Sequence, residues 1–178
     1  MHGHRDMEIV TIVFSGVLEH RDSLGNRGQL QPGDVQVMTA GLGIEHSEAN
    51  SSESDDTHLM QIWIEPRSKG LLPRYEQRFF PPQDVRDRLC RVAGPMGRAD
   101  QALSIEQDVH VYTASLNSGT SISYTLQGGR AAWLQVVRGS VQLEAYTLGV
   151  GDACSVEDRS SFEVSAIGPS QIVLFDLL

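Results

Sequence analysis

The stretch His2-Gly-His4-Arg-Asp-Met-Glu8-Ile-Val-Thr-Ile-Val-Phe14-Ser-Gly16 joins two histidines at i, i+2 spacing to a β-branched run that ends in a Ser-Gly turn. In an extended chain, side chains two apart point to the same face, so both imidazoles can address one point. Val, Ile and Thr fit a pleated surface, and the run predicts a strand. Working outward, Val17-Leu-Glu-His20 follows the turn, and Asp22-Ser-Leu-Gly-Asn26 and Gln31-Pro-Gly-Asp34 are turn clusters. The second of these opens Val35-Gln-Val-Met38, after which come the glycine-rich Thr39-Ala-Gly-Leu-Gly43 and the strand-like Leu59-Met-Gln-Ile-Trp-Ile64. Further on, residues 109–113, 120–124, 132–137, 141–144, 162–164 and 172–175 repeat the pattern. Helical periodicity is confined to a turn or two over residues 83–90. Short strands at close spacing, punctuated by Gly and Pro, predict an all-β fold of the jelly-roll kind.

The two ends of the chain echo each other. Val13-Phe-Ser-Gly16-Val-Leu-Glu19 resembles Val137-Arg-Gly-Ser-Val-Gln-Leu-Glu144, and Leu30-Gln-Pro-Gly-Asp34 resembles Leu148-Gly-Val-Gly-Asp152. A strand, a tight turn, a strand and a Gly-Asp corner follow in the same order, as expected of two related β modules. The expected division is residues 1–66 as a first module, 67–100 as a Pro/Arg-rich connector, and 101–178 as a second module. The connector is inferred from the density of proline at positions 66, 73, 81, 82 and 95, which interrupts regular structure. Its arginines read as a solvated basic surface.

The chain has 178 residues, 40% of them hydrophobic, and a formal net charge of −9. Residues 1–66 hold eleven acidic and three basic side chains, a balance of −8, and also five of the six histidines. An acidic chain is poorly suited to direct nucleic-acid binding, which relies on Lys and Arg displacing counterions. No apolar run approaches the roughly 18 residues of a membrane span, and the polar N-terminus does not resemble a secretory signal, so a cytoplasmic protein with no membrane partner is expected. Cys90 and Cys154 lack CxxC partners, which removes zinc-ribbon and thioredoxin-type chemistry.

His46-Ser-Glu48 repeats the i, i+2 spacing of His2-Gly-His4 and adds a carboxylate. Three neutral imidazoles and one carboxylate make a site for a divalent first-row metal: iron(II) leads, and copper, nickel, manganese, zinc and cobalt also suit the donor set. His20 and His58 are expected as structural or outer residues, and His110 stands alone in the second module.

These residues also carry a family resemblance. HGHRDMEIVT, LEHRDSLGN, TAGLGIEHSEAN, QIWIEP and PRYEQRFF, in this order over residues 2–80, resemble the pirin family of bicupins, including bacterial members described as quercetin 2,3-dioxygenases. AAWLQVVRGSVQLE and IVLFDL fit that family's metal-free second cupin module. The resemblance implies two cupin modules and places the metal ligands on His2, His4, His46 and Glu48, with Glu8 as a structural or outer carboxylate. It implies ring opening of a flavonol or similar small aromatic substrate by dioxygen, with Glu48 accepting the substrate's hydroxyl proton. The alternative it implies is a non-enzymatic, metal- and redox-responsive transcription cofactor acting through a protein partner. Pirins place several strands before the first histidine motif. The first module is therefore expected to be incomplete at its N-terminus, with about four strands over residues 8–65 and an open edge available for self-association.

Overall fold

The computed structural model describes residues 1–97 and 101–178, and the chain forms two compact units, Met1–Phe80 with Ala93–Gln107 and Pro81–Val92 with Asp108–Leu178. The chain opens with β1 (His2–His4), β2 (Glu8–Ser15), β3 (Leu18–Asp22), β4 (Arg27–Leu30), β5 (Asp34–Thr39), β6 (Ile44–Asn50), β7 (His58–Ile64) and β8 (Arg74–Phe79). They form two four-stranded sheets, ordered β1-β6-β3-β4 and β7-β2-β5-β8. Next come α1 (Pro82–Val85), β9 (Cys90–Pro95) and β10 (Leu103–Ile105), the last pairing in parallel with residues 93–95 of β9. The second unit holds β11 (Val109–Leu116), β12 (Ser121–Thr125), β13 (Ala131–Arg138), β14 (Val141–Leu143), β15 (Tyr146–Leu148), β16 (Ala153–Val156), β17 (Ser161–Ala166) and β18 (Ser170–Leu177). Its strands run β12-β17-β14-β15 on one side and β11-β18-β13-β16 on the other. This is the all-β, two-cupin architecture expected from the strand and turn pattern.

The strand count differs from expectation. Residues 8–65 contain six strands, β2 to β7, where about four were expected. Arg27-Gly-Gln-Leu30 has the composition of a turn and becomes a strand only by pairing with β3. Residues 67–97 hold β8, β9 and the single turn of α1. The prolines stand where they do no damage: Pro73 precedes β8, Pro82 opens α1 at the position where a missing N–H is harmless, and Pro95 ends β9. Arg86 returns to extended backbone and ends the helix.

Alternation along the strands decides what each module encloses. In the first, Ile9, Met38, Ala40 and Ile44 form one apolar cluster, and Val13, Leu18, Leu30 and partly buried Leu59 form another. Side chains two residues from these share their face, which puts Thr11, His20, Gln36, His46, Glu48 and Gln61 inside as a polar belt. The second module has no such belt among the described residues of its core, which is one apolar cluster running from Ala114 and Leu134 to Val164 and Leu174.

The repeat seen in the sequence extends to the backbone. Gly16 and Gly139 follow β2 and β13, both at φ +75°. At the Gly-Asp corners, Asp34 Oδ2 accepts from the Gln31 amide at 2.9 Å and Asp152 Oδ2 from the Gly149 amide at 2.9 Å. A β-carbon on Gly16 would lie 2.6 Å from the Asp56 carbonyl oxygen, and one on Gly139 2.2 Å from that of Pro169. Gly16→Ala and Gly139→Ala should therefore each lower unfolding free energy by about 2 kcal/mol or more in urea titrations. Gly128→Ala, with open space around it, should stay within about 0.5 kcal/mol of the parent.

Candidate metal centre

Strand register assembles the site. β6 lies between β1 and β3, with His2 opposite His46 on one side, and His20 opposite Glu48 and Asp22 opposite His46 on the other. The rings of His2, His4 and His46 converge with centroids 4.4–4.9 Å apart, and His4 Nε2 lies 3.0 Å from His46 Nε2. Two nitrogens each about 2.1 Å from one ion, at a right angle, stand about 3.0 Å apart. The His4 and His46 imidazoles are thus spaced as neighbouring ligands of a single metal ion could be, with a His2 nitrogen within 4.8 Å of both.

Glu48 is held from two directions. Its Oε2 accepts from Gln61 Nε2 at 2.7 Å, and its Oε1 faces His20 Nδ1 at 3.9 Å. His20 is fully buried and stacks on Tyr75, centroids 4.9 Å apart. Its Nε2 lies 3.3 Å from Asp22 Oδ2, and Asp22 also accepts from the Leu24 amide and from both the amide and side chain of Asn26. Trp63 stands edge-on to His4 at 5.0 Å, 56% exposed, with its indole N–H on Gln61 Oε1.

The electrostatics favour neutral imidazoles. Burial, aided by the neighbouring histidines and against the pull of Glu48, lowers His46 to about 4; burial and then His2 lower His4. Burial alone would raise the Glu48 carboxyl, but His20, the Gln61 amide and His46 together hold it below the ordinary glutamate value. Burial, then the carboxylates of Asp22, Asp34 and Glu48, push the Tyr75 phenol up to about 12. The result is neutral nitrogen donors on His4 and His46 beside an ionised Glu48, the protonation states a divalent cation requires.

Of the four residues expected as ligands, His2, His4 and His46 form one group with donor atoms within 4.8 Å of one another. Glu48 belongs to an overlapping group with His20 and His46. His20 was expected only as a structural residue, yet His20-Arg-Asp22 has the same i, i+2 spacing as the two ligand motifs, which is the signal that could have placed it here. Glu8 lies on the opposite face of its strand from Ile9 and Thr11; its carboxylate accepts from Thr39 Oγ1 at 3.0 Å and lies near Arg74. His58 is exposed against Phe14, and His110 contacts Arg91 at 2.9 Å. Cys90 and Cys154 form no disulfide with each other, and no helix among the described residues is long and apolar enough to cross a membrane.

Known proteins are similar to this chain in sequence and fold. A family model described as Pirin matches residues 1–64, and one described as a quercetinase C-terminal cupin domain matches residues 91–177. A quercetin 2,3-dioxygenase of Escherichia coli K12 is 39% identical over 176 residues, spanning 99% of this chain and 74% of that protein. A pirin-like protein of Caulobacter vibrioides is 37% identical over 175 residues, spanning 98% of this chain and 75% of that one. The crystal structure of a bacterial pirin from Escherichia coli in complex with nickel(II) superposes with a TM-score of 0.90 at 39% identity, covering 99% of this chain and 74% of that one.

The lowered pKa of His46 has a direct consequence for the metal-free protein. Unfolded, this histidine takes up a proton near pH 6.5; folded, only near 4. The contribution of His46 to stability is therefore complete above pH 6.5 and is lost as the pH falls from there toward 4. Denaturation midpoints of the metal-free chain should drop across that interval, and His46→Phe should flatten the drop. In proton NMR, the His46 ring signal should titrate well below 6.5.

Proposed function

Since this chain belongs to the pirin family, we propose that it is a metal-dependent dioxygenase that opens the ring of flavonols, holding its metal on His2, His4, His46 and Glu48. The observation that carries the reading is the 3.0 Å approach of His4 Nε2 to His46 Nε2 with the Glu48 carboxylate adjoining His46. Relatives named quercetin 2,3-dioxygenase support the substrate class, and the nickel(II) complex of a related pirin supports a divalent first-row ion. Iron(II) is our first assignment, with copper, nickel, manganese, zinc and cobalt compatible with three imidazoles and a carboxylate.

When bound, such an ion supplies a Lewis-acidic centre and access to dioxygen. The chain's own part is acid–base and positional. Glu48, kept ionised by its surroundings, accepts the proton of the flavonol hydroxyl, which leaves a neutral carboxylic acid and an anionic ring activated toward oxidation. Gln61 fixes Oε2, so Oε1 is the oxygen left to receive the proton. Trp63 offers a flat apolar surface beside His4, suited to an aromatic ligand.

Loss of quercetin absorbance in air, measured after reconstitution with each of the six metals, tests the assignment; no turnover with any of them would overturn it. Glu48→Gln should lower kcat by about 10²-fold or more. His46→Ala should leave the purified chain without stoichiometric metal by elemental analysis, and full metal content in that variant would refute the ligand set.

A further inference from the structure

The internal repeat shows where the first unit is left open. Its sheets β1-β6-β3-β4 and β7-β2-β5 run in the same order as β12-β17-β14-β15 and β18-β13-β16 of the second unit. Gly16 and Gly139, at the same φ of +75°, follow the equivalent strands β2 and β13. β7 is thus the counterpart of β18. On one side β18 pairs with β13, and on the other, over eight residues, with β11. β7 pairs with β2, and no strand among the described residues lies along its other side.

That open side is suited to pairing. A strand edge presents a row of N–H and C=O groups, and folds protect it with short length, charged side chains, Pro or a covering segment. The other end strands of the first unit's two sheets follow this rule. β1 has three residues, β4 has four with Arg27 among them, and β8 carries Arg74, Glu76 and Arg78. β7, His58-Leu-Met-Gln-Ile-Trp-Ile64, has seven residues and contains no Asp, Glu, Lys, Arg or Pro. None of its side chains is fully buried, and Trp63 is 56% exposed.

The strand is also complementary to itself. In an antiparallel pair of copies centred on Gln61, Met60 stands opposite Ile62 of the second copy and Leu59 opposite its Trp63, and symmetry makes each contact twice. The flanks agree in charge. Exposed Asp55 and Asp56 precede the strand and exposed Arg67 and Lys69 follow it, so the antiparallel arrangement sets the acidic flank of each copy beside the basic flank of the other. We propose that two copies of this chain pair through β7, antiparallel about Gln61, joining their β7-β2-β5-β8 sheets into one continuous sheet. The pairing reaches the candidate metal centre. Leu59, Gln61 and Trp63 share the face on which Gln61 meets Glu48 and Trp63 meets His4, so Leu59 of the second copy lies against Trp63 beside the histidines.

Sedimentation velocity of the full chain, over roughly a hundredfold range of concentration, reads the association directly. The expected result is a reversible equilibrium between the 19.5 kDa chain and its dimer, with hydrogen exchange at the amides of residues 58–64 slowing as the dimer fills. Met60→Glu and Ile62→Lys should each raise the dimer dissociation constant about 10-fold or more, because symmetry applies every loss twice. An equimolar mixture of the two variants should restore association, since the proposed register sets the new carboxylate opposite the new ammonium. Circular dichroism checks that each variant folds; if either does not, the exchange measurement on the parent decides. A monomer at every concentration, including one that takes up an unrelated extended peptide at this edge, overturns the pairing. So does a dimer whose residues 58–64 exchange no more slowly, or a mixture of folded variants that stays monomeric.

Discussion

The antiparallel pairing of β1 with β6 is the constraint on which the site depends. Three residues of β1 place His2 opposite His46 and bring His4 to the same face. Because side chains alternate, a slip of one residue would turn both imidazoles of β1 outward. The register is pinned just beyond the strand. The Asp6 amide donates to the Gly41 carbonyl at 2.9 Å, the Asp6 carboxylate accepts from the Gly70 amide at 2.8 Å, and the Ala40 amide donates to the Met7 carbonyl at 2.8 Å. Asp6 itself takes φ +49°, a conformation Asp tolerates better than most residues. From the far side, the Ser23 amide binds the Glu45 carbonyl at 2.8 Å and the Ser23 hydroxyl accepts from the Glu45 amide at 3.1 Å, fixing β6 next to the His20 strand.

The two modules share turns and corners but fill their interiors differently. In the first, apolar residues cluster above and below a polar belt that includes several buried atoms with no partner in the protein. In the second, the interior is one apolar cluster, and the charged groups at one end of it pair with each other. Arg130 binds Asp176 and, at 3.1 Å, Asp108, while Tyr124 donates to Asp176. Buried charges compensated in this way are stable without a ligand, whereas the belt of the first module retains buried atoms with no partner in the protein. The same turn chemistry thus frames two different interiors, one with a polar belt and one apolar.

How much of this was legible depends on the range of the interaction. The i, i+2 motifs His2-Gly-His4 and His46-Ser-Glu48 point to candidate ligands because spacing alone puts their side chains on one face. Gly16 and Gly139, Asp34 and Asp152 announce a repeat because turn chemistry is local. His20 was not legible as part of the site, since its place opposite Glu48 exists only once β3 pairs with β6. Arg27–Leu30 and Arg74–Phe79 were missed as strands for a related reason: they lie among turn residues or prolines and are ordered by their neighbours.

The amino-acid sequence by itself determined the all-β class, the duplication, the acidic histidine-rich first 66 residues and the residue types of the candidate metal centre. Each of these follows from composition, alternation or contacts within a few residues. The tertiary structure alone decided which face each strand turns inward, that Glu8 lies away from the histidines and His20 beside them, and that Gln61, Thr11 and Gln36 form a row. Those facts depend on register between strands distant in the chain, and register is set by many weak contacts acting together.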